Sequence, residues 1–259
     1  MGFKVIILTL LLVFLNSSLL PAGELTGEEI LDKLNNNINI TASGQATIKL
    51  VTENSKGQQR EYKLKIYRQE EAGQEKQLLE YLEPADVEGT KFLSVHTPEQ
   101  GEEQMWLFLP ALGRERRIAG HMTRDNFMGT DFTFEEIGGG KDYNDDYRAK
   151  RLVDQELAGY LTYQLQLIPV DQDLDYGELR MWVWQQEMQP LAIDFYNRAG
   201  ELWKQLIFSD FEQGDDGELF PQTIIMSNQE EGSRTIIEII ENSSEVVDQL
   251  YFSLQYLRR

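Results

Sequence analysis

The sequence predicts a mainly β (α+β) domain built on one large, strongly curved antiparallel sheet. Three observations carry that reading. Apolar residues recur with period two along many segments, Gly- and Asp-rich punctuation separates those segments, and a single helical signal precedes them. With 259 residues, the chain can enclose a sizeable core in one large domain. Its 41% hydrophobic and 10% aromatic content is that of a globular protein rather than a disordered one.

The helical signal comes first. TGEE at 26–29 has the spacing of a capping box, in which the Thr hydroxyl and the Glu carboxylate satisfy open amides at a helix start. Ile30, Leu31 and Leu34 then form one apolar face, and NNN at 35–37 ends the segment. The strands follow. Ala46, Ile48 and Leu50 alternate with Thr47 and Lys49; Tyr62, Leu64 and Ile66 alternate with Glu61, Lys63 and Lys65. Leu161, Tyr163, Leu165 and Leu167 alternate with Thr162, Gln164 and Gln166. Such alternation marks a sheet with one buried face. NSKG at 54–57, RAG at 198–200 and GDDG at 214–217 read as hairpin turns. Roughly eleven or twelve strands are legible, well beyond an average sheet, with no linker and no internal repeat.

Two strands break the pattern by being apolar on both faces. One carries Met105, Leu107 and Leu109 against Trp106 and Phe108; the other carries Leu179, Met181 and Val183 against Trp182 and Trp184. A helix, a lid or a ligand must cover the second face. The run RDNFMGTDFTFEEI at 124–137 raises the same question, because it sets Phe127, Met128, Phe132 and Phe134 among Gly, Thr and Asp. Those four side chains are expected to form the apolar face of a lid, with Gly129 and the glycines at 138–140 as hinges. Asp125, Thr130, Asp131 and Thr133 would cap short turns or face water.

Catalytic chemistry finds little support. The chain has two histidines and no cysteine, which excludes thiol catalysis and disulfides and argues against a His-rich metal site. Neither a nucleophile elbow nor a phosphate-binding Gly-Lys loop occurs. The acidic clusters at 142–146 and 171–175 mimic calcium loops, but Tyr147 and Tyr176 occupy their glycine positions, and Val153 and Trp182 their closing-glutamate positions. No cofactor and no metal is expected. A net charge of −20 argues against nucleic acid and against unaided adsorption to anionic membranes. Against that background Arg114, Arg116 and Arg117 cluster, and Arg124 follows. They could rim an apolar mouth and meet a partner or the phosphate or carboxylate head of an amphiphile.

The first residues read as a secretory signal: Lys4, an apolar run from Val5 to Leu15, then small residues at Ala22 and Gly23. The apolar run is shorter than the about 20 residues a spanning helix needs. Cleavage near Ala22 and Gly23 would leave 24–259 as an exported domain.

LPALGRERRIAGHMTRDNFMGTDFTFEEI (109–137), LEPADVEGTKFL (82–93), AGYLTYQLQLIP (158–169), MWVW (181–184) and the closing YFSLQYLRR together resemble the LolA-like outer-membrane lipoprotein-sorting proteins. The resemblance spans the mature chain. It implies a half-barrel of about eleven antiparallel strands, an N-terminal helix, and short lid helices over an apolar cavity. It also implies a monomeric periplasmic carrier of lipoprotein or lipid acyl chains, moving between an inner-membrane transporter and an outer-membrane acceptor. The branch with this central motif is associated with exporters of the resistance–nodulation–division type. On this reading Trp106, Phe108, Phe127, Met128, Phe132, Phe134, Trp182 and Trp184 contact the ligand. An alternative is a lipid-sensing regulatory protein of the envelope built on the same half-barrel.

Overall fold

The computed structural model describes residues 24–35, 43–97, 102–139, 143–170, 175–214, 217 and 219–259. The expected leader at 1–23 lies outside the described residues. So do Gly140 of the glycine run, Asp142 and 171–174 of the acidic clusters, and Asp215 and Asp216 of one hairpin turn.

The capping box forms where the sequence places it. The Thr26 amide donates to Glu29 Oε2 at 2.8 Å, and the Glu29 amide donates to Thr26 Oγ1 at 3.2 Å. The Thr26 amide, with the Thr26 hydroxyl donating to the same oxygen at 3.0 Å, holds the Glu29 carboxyl below its ordinary pKa, and the box starts helix α1 (Gly27–Asn35). Ile30, Leu31 and Leu34 are fully buried on its one apolar face.

The chain then runs through β1 (Gly44–Glu53), β2 (Gln59–Glu71), β3 (Gln74–Glu83), β4 (Lys91–Thr97), β5 (Glu102–Leu109) and β6 (Arg114–Ile118). A crossing segment carries α2 (Phe134–Gly138) and α3 (Tyr143–Asp146). The second run comprises β7 (Tyr147–Arg151), β8 (Gln155–Leu157), β9 (Tyr160–Pro169), β10 (Tyr176–Trp184) and β11 (Gln189–Asn197). It continues as β12 (Leu202–Gln213), β13 (Leu219–Asn228) and β14 (Ser233–Ser243), and α4 (Leu254–Leu257) follows. The sheet has 14 strands in the order β6-β5-β4-β3-β2-β1-β14-β13-β12-β11-β10-β9-β7, with β8 also on β9. That exceeds the expected eleven or twelve, and β6, β7 and β8 are the shortest strands. Five residues or fewer leave too little room for alternation to register.

Antiparallel pairing of β1 with β14 joins the two meanders into one sheet. Register shifts interrupt the β1–β14, β2–β3, β10–β11 and β11–β12 ladders. Each extra residue bends its strand and increases its twist, so the sheet curls while remaining open at β6 and at β7. Strand parity sorts the side chains into two faces. Ala46, Ile48, Leu50, Leu64, Ile66, Leu79, Phe92, Met105 and Leu107 point inward to the main core with α1. Leu78, Leu93 and Phe108 point outward into a second cluster.

Candidate functional site

The inner face is filled by the segment that crosses from β6 to β7. Within it, Asn126 and Thr133 form an isolated antiparallel bridge, the Phe127 amide donates to the Phe132 carbonyl at 2.7 Å, and the Thr130 amide donates to the Phe127 carbonyl at 2.8 Å. The result is a miniature hairpin. Its tip has Met128 at φ 47°, ψ 33° and Gly129 at φ 80°, the positive φ pair of a type I′ turn. Glycine adopts that geometry freely, whereas methionine is strained in it.

The hairpin drives three rings into the core. Phe127, Phe132 and Phe134 are 0%, 5% and 8% exposed, and Met128 packs half-buried beside them. Phe127 meets Phe92 at 5.2 Å and Phe134 at 5.3 Å between ring centroids, both edge-on, and Phe92 lies 5.7 Å from Phe134. Edge-on packing at these separations suits the ring quadrupoles.

Polar bonds pin the hairpin to both halves of the sheet. Toward β12 and β14, the Asp131 amide donates to Thr235 Oγ1 at 2.8 Å, and that hydroxyl donates to Asp131 Oδ2 at 2.7 Å. Ser233 Oγ donates to Asp131 Oδ1, and Lys204 Nζ donates to the Asp131 carbonyl at 2.8 Å. Lys204 Nζ also lies 3.8 Å from the Glu136 carboxylate, with both side chains largely buried. Glu136 closes a capping box with Thr133 at the start of α2 and accepts from the Tyr176 hydroxyl at 2.8 Å. Burial, reinforced by the Glu136 charge, pushes the Tyr176 hydroxyl well above its ordinary pKa, so it stays a donor. Toward β3 and β4, Gln77 Nε2 donates to the Ile137 carbonyl and Ser94 Oγ to the Gly138 carbonyl, each at 2.6 Å. Buried charges are tolerated because each has partners.

These contacts correct two expectations. Asp131 is 4% exposed, so it anchors the segment rather than facing water. Gly138 provides close approach rather than a hinge: a Cβ there would lie 2.7 Å from Met105 Cε. Gly139, at φ 79°, caps the end of α2.

Other residues expected at a binding surface lie elsewhere. Trp106 and Phe108 are on the outer face with Leu78 and Leu93, sealed by Tyr251, Phe252, Leu254 and Leu257 of the C-terminal segment. Trp182 and Trp184 also lie across the sheet from Met181 and Val183, because neighbouring strand residues alternate. Trp184 packs against Tyr160 at 4.4 Å and Phe211 at 6.2 Å. The structure therefore groups Phe127, Met128, Phe132 and Phe134 and separates the four other aromatic residues from them. Arg114, Arg116 and Arg117 sit on edge strand β6, and Arg124 lies 3.9 Å from Asp175. The anchors Ser233, Thr235, Lys204, Gln77 and Ser94 were not anticipated. Lys204 had a usable signal, since it shares strand parity with the buried Leu206 and Phe208.

A family model described as an uncharacterized protein matches residues 73–259. An outer membrane lipoprotein-sorting protein domain from Vibrio parahaemolyticus superposes with a TM-score of 0.80 at 27% identity, covering 90% of this chain and 98% of that one. The chain belongs to the LolA-like family. A DUF1329 family protein from Desulfovibrio piger gives a TM-score of 0.81 at 25% identity over 89% and 97% of the two chains. A LolA superfamily protein from Nitrosomonas europaea shares the fold, with a TM-score of 0.69, 20% identity and coverage of 90% and 100%. No curated protein matches. The open, curled sheet with short helices on its inner side is thus the LolA-like half-barrel.

Proposed function

We propose that the protein is a periplasmic carrier that receives acyl chains of a lipoprotein or lipid on the inner face of its half-barrel. It would shuttle them, without catalysis, between an inner-membrane transporter and an outer-membrane acceptor, in association with an exporter of the resistance–nodulation–division type. The single observation that carries this reading is the segment 126–134, which fills the inner face of the sheet with three phenylalanines from one short stretch. Burying three such rings is worth roughly 5–9 kcal/mol. An acyl chain gains about 0.8 kcal/mol per methylene, so roughly six to eleven methylenes balance the rings. One ordinary chain therefore suffices to replace them, and the polar anchors regain water when the hairpin lifts. The Vibrio parahaemolyticus relative, named for outer membrane lipoprotein sorting, supports the cargo class.

The test is native mass spectrometry with organic extraction on mature protein purified gently from its own envelope. The expected result is a stoichiometric phospholipid, acylated peptide or related amphiphile. A ligand-free protein that also rejects a fluorescent fatty acid would overturn the carrier and favour an envelope regulator.

A further inference from the structure

The two open edges of the sheet are treated differently. On β7 the edge is covered. The Ala149 amide donates to Glu28 Oε1 at 3.0 Å, Arg151 Nη1 donates to the Leu25 carbonyl at 3.0 Å, and Gly27 presses on the strand. A Cβ at Gly27 would lie 2.7 Å from the Ala149 carbonyl oxygen. α1 thus blocks a further strand there. On β6, β5 is the one strand that pairs among the described residues, and the far side carries no partner strand.

That edge is also where positive charge collects in a chain of net charge −20. Arg114, Arg116 and Arg117 are exposed along it. Arg258 is drawn alongside by its ion pair with Glu115, and Arg259 follows. Five arginines thus gather around this edge with one glutamate, Glu115, whose charge is engaged by Arg258 and held below its ordinary pKa by it.

We propose that β6 docks an acidic extended segment of a partner protein, which adds to the sheet as a further strand. An edge strand offers a row of main-chain donors and acceptors that another strand can satisfy. Three like-charged arginines on that edge repel copies of the same chain and select an acidic partner. An anionic membrane is the poorer match, because the remainder of the molecule is repelled by it and a strand edge offers lipids nothing specific. The inference does not depend on what the inner face carries.

The experiment uses full-length mature protein and three peptides: alternating Glu-Val, alternating Lys-Val, and an acidic peptide of equal charge interrupted by proline. Binding is read by fluorescence anisotropy, and the footprint by amide exchange. The Glu-Val peptide should bind, slow exchange within 114–118, and weaken at least about tenfold in R114E/R117E. The proline peptide should bind much more weakly, since it cannot complete a ladder. Both arginines are exposed, so the variant should keep its circular dichroism and melting temperature. Equal binding of the two acidic peptides would reduce the site to nonspecific charge attraction. No Glu-Val binding, equal Lys-Val binding, or protection elsewhere would also overturn the proposal. So would arginine-dependent binding to phosphatidylglycerol vesicles with none to the peptides.

Discussion

The same strands, β2 to β5, are covered on both faces, by two segments with different chemistry. Inside, the 126–138 segment buries phenylalanines and fastens itself through Asp131 and Glu136 to Lys204, Ser233, Thr235 and Tyr176. Outside, the C-terminal segment lies on Tyr67, Leu78, Leu93, Trp106 and Phe108. Tyr67 and Tyr251 stack at 4.2 Å, Tyr251 meets Tyr256 at 4.7 Å, and Lys91 Nζ sits 4.8 Å from the Tyr256 ring. The outer contact is mainly stacked rings and aliphatic side chains, with one small polar link in which Lys91 and the Tyr256 hydroxyl meet Glu80. The inner one is a shared polar network, so its members are lost together. If the inner segment lifts, that network would be expected to release as a unit, as a latch does. On the carrier proposal, the inner segment is the one that exchanges with cargo and the outer one stays closed.

The most decisive way to break that contrast is to lock the latch. The chain has no cysteine, and the Asp131 and Thr235 side chains already touch at 2.7 Å. The oxidised double variant D131C/T235C should take up almost no fluorescent fatty acid, and reduction should restore uptake. Unchanged uptake in the oxidised form would mean that the hairpin need not move. Next, Phe127→Ala should cost about 3–5 kcal/mol in chemical denaturation, because a fully buried ring leaves a cavity. A cost under about 1 kcal/mol would show that the inner face collapses freely and that the ring cluster is not tightly packed.

Tyr251→Ala should cost less, about 1–2 kcal/mol, since its ring is only half-buried and loses a stacked pair. It should leave fatty-acid uptake unaltered, and a matching loss of uptake would erase the distinction between the two coverings. The smallest effect is a dependence on alkaline pH. Burial raises the hydroxyls of Tyr81, Tyr147 and Tyr176 inside and Tyr67 outside, and pushes Tyr256 to about 12. A folded pKa above the unfolded value means stability is fully present below about pH 10 and is lost as pH rises through the folded values. Denaturation midpoints should therefore decline above about pH 10, and less steeply in Tyr176→Phe. An equal decline in that variant would remove Tyr176 from the account.

Much of the sheet was legible because strand periodicity is local. A side chain's face follows from its parity, so β1 and β2 could be read directly, as could the capping box at α1. On β9, Leu165 and Leu167 are buried as expected, but Leu161 is 58% exposed and Thr162 and Gln164 are buried. The two-faced β5 correctly required a second covering, supplied by the C-terminal segment, whereas on β10 Trp184 meets rings of other strands, Tyr160 and Phe211. The RDNFMGTDFTFEEI run packs into the core. Parity alone does not say which face of a curled sheet is concave. Trp106, Phe108, Trp182 and Trp184 therefore looked like ligand contacts until bulges and long-range pairing set the direction of curl. The partners of Asp131 lay equally out of reach, since Lys204 and Thr235 are 73 and 104 residues away along the chain. Local sequence determines which residues leave water together. Only the tertiary structure decided what they meet, because burying a charge is permitted only where distant strands deliver its partners.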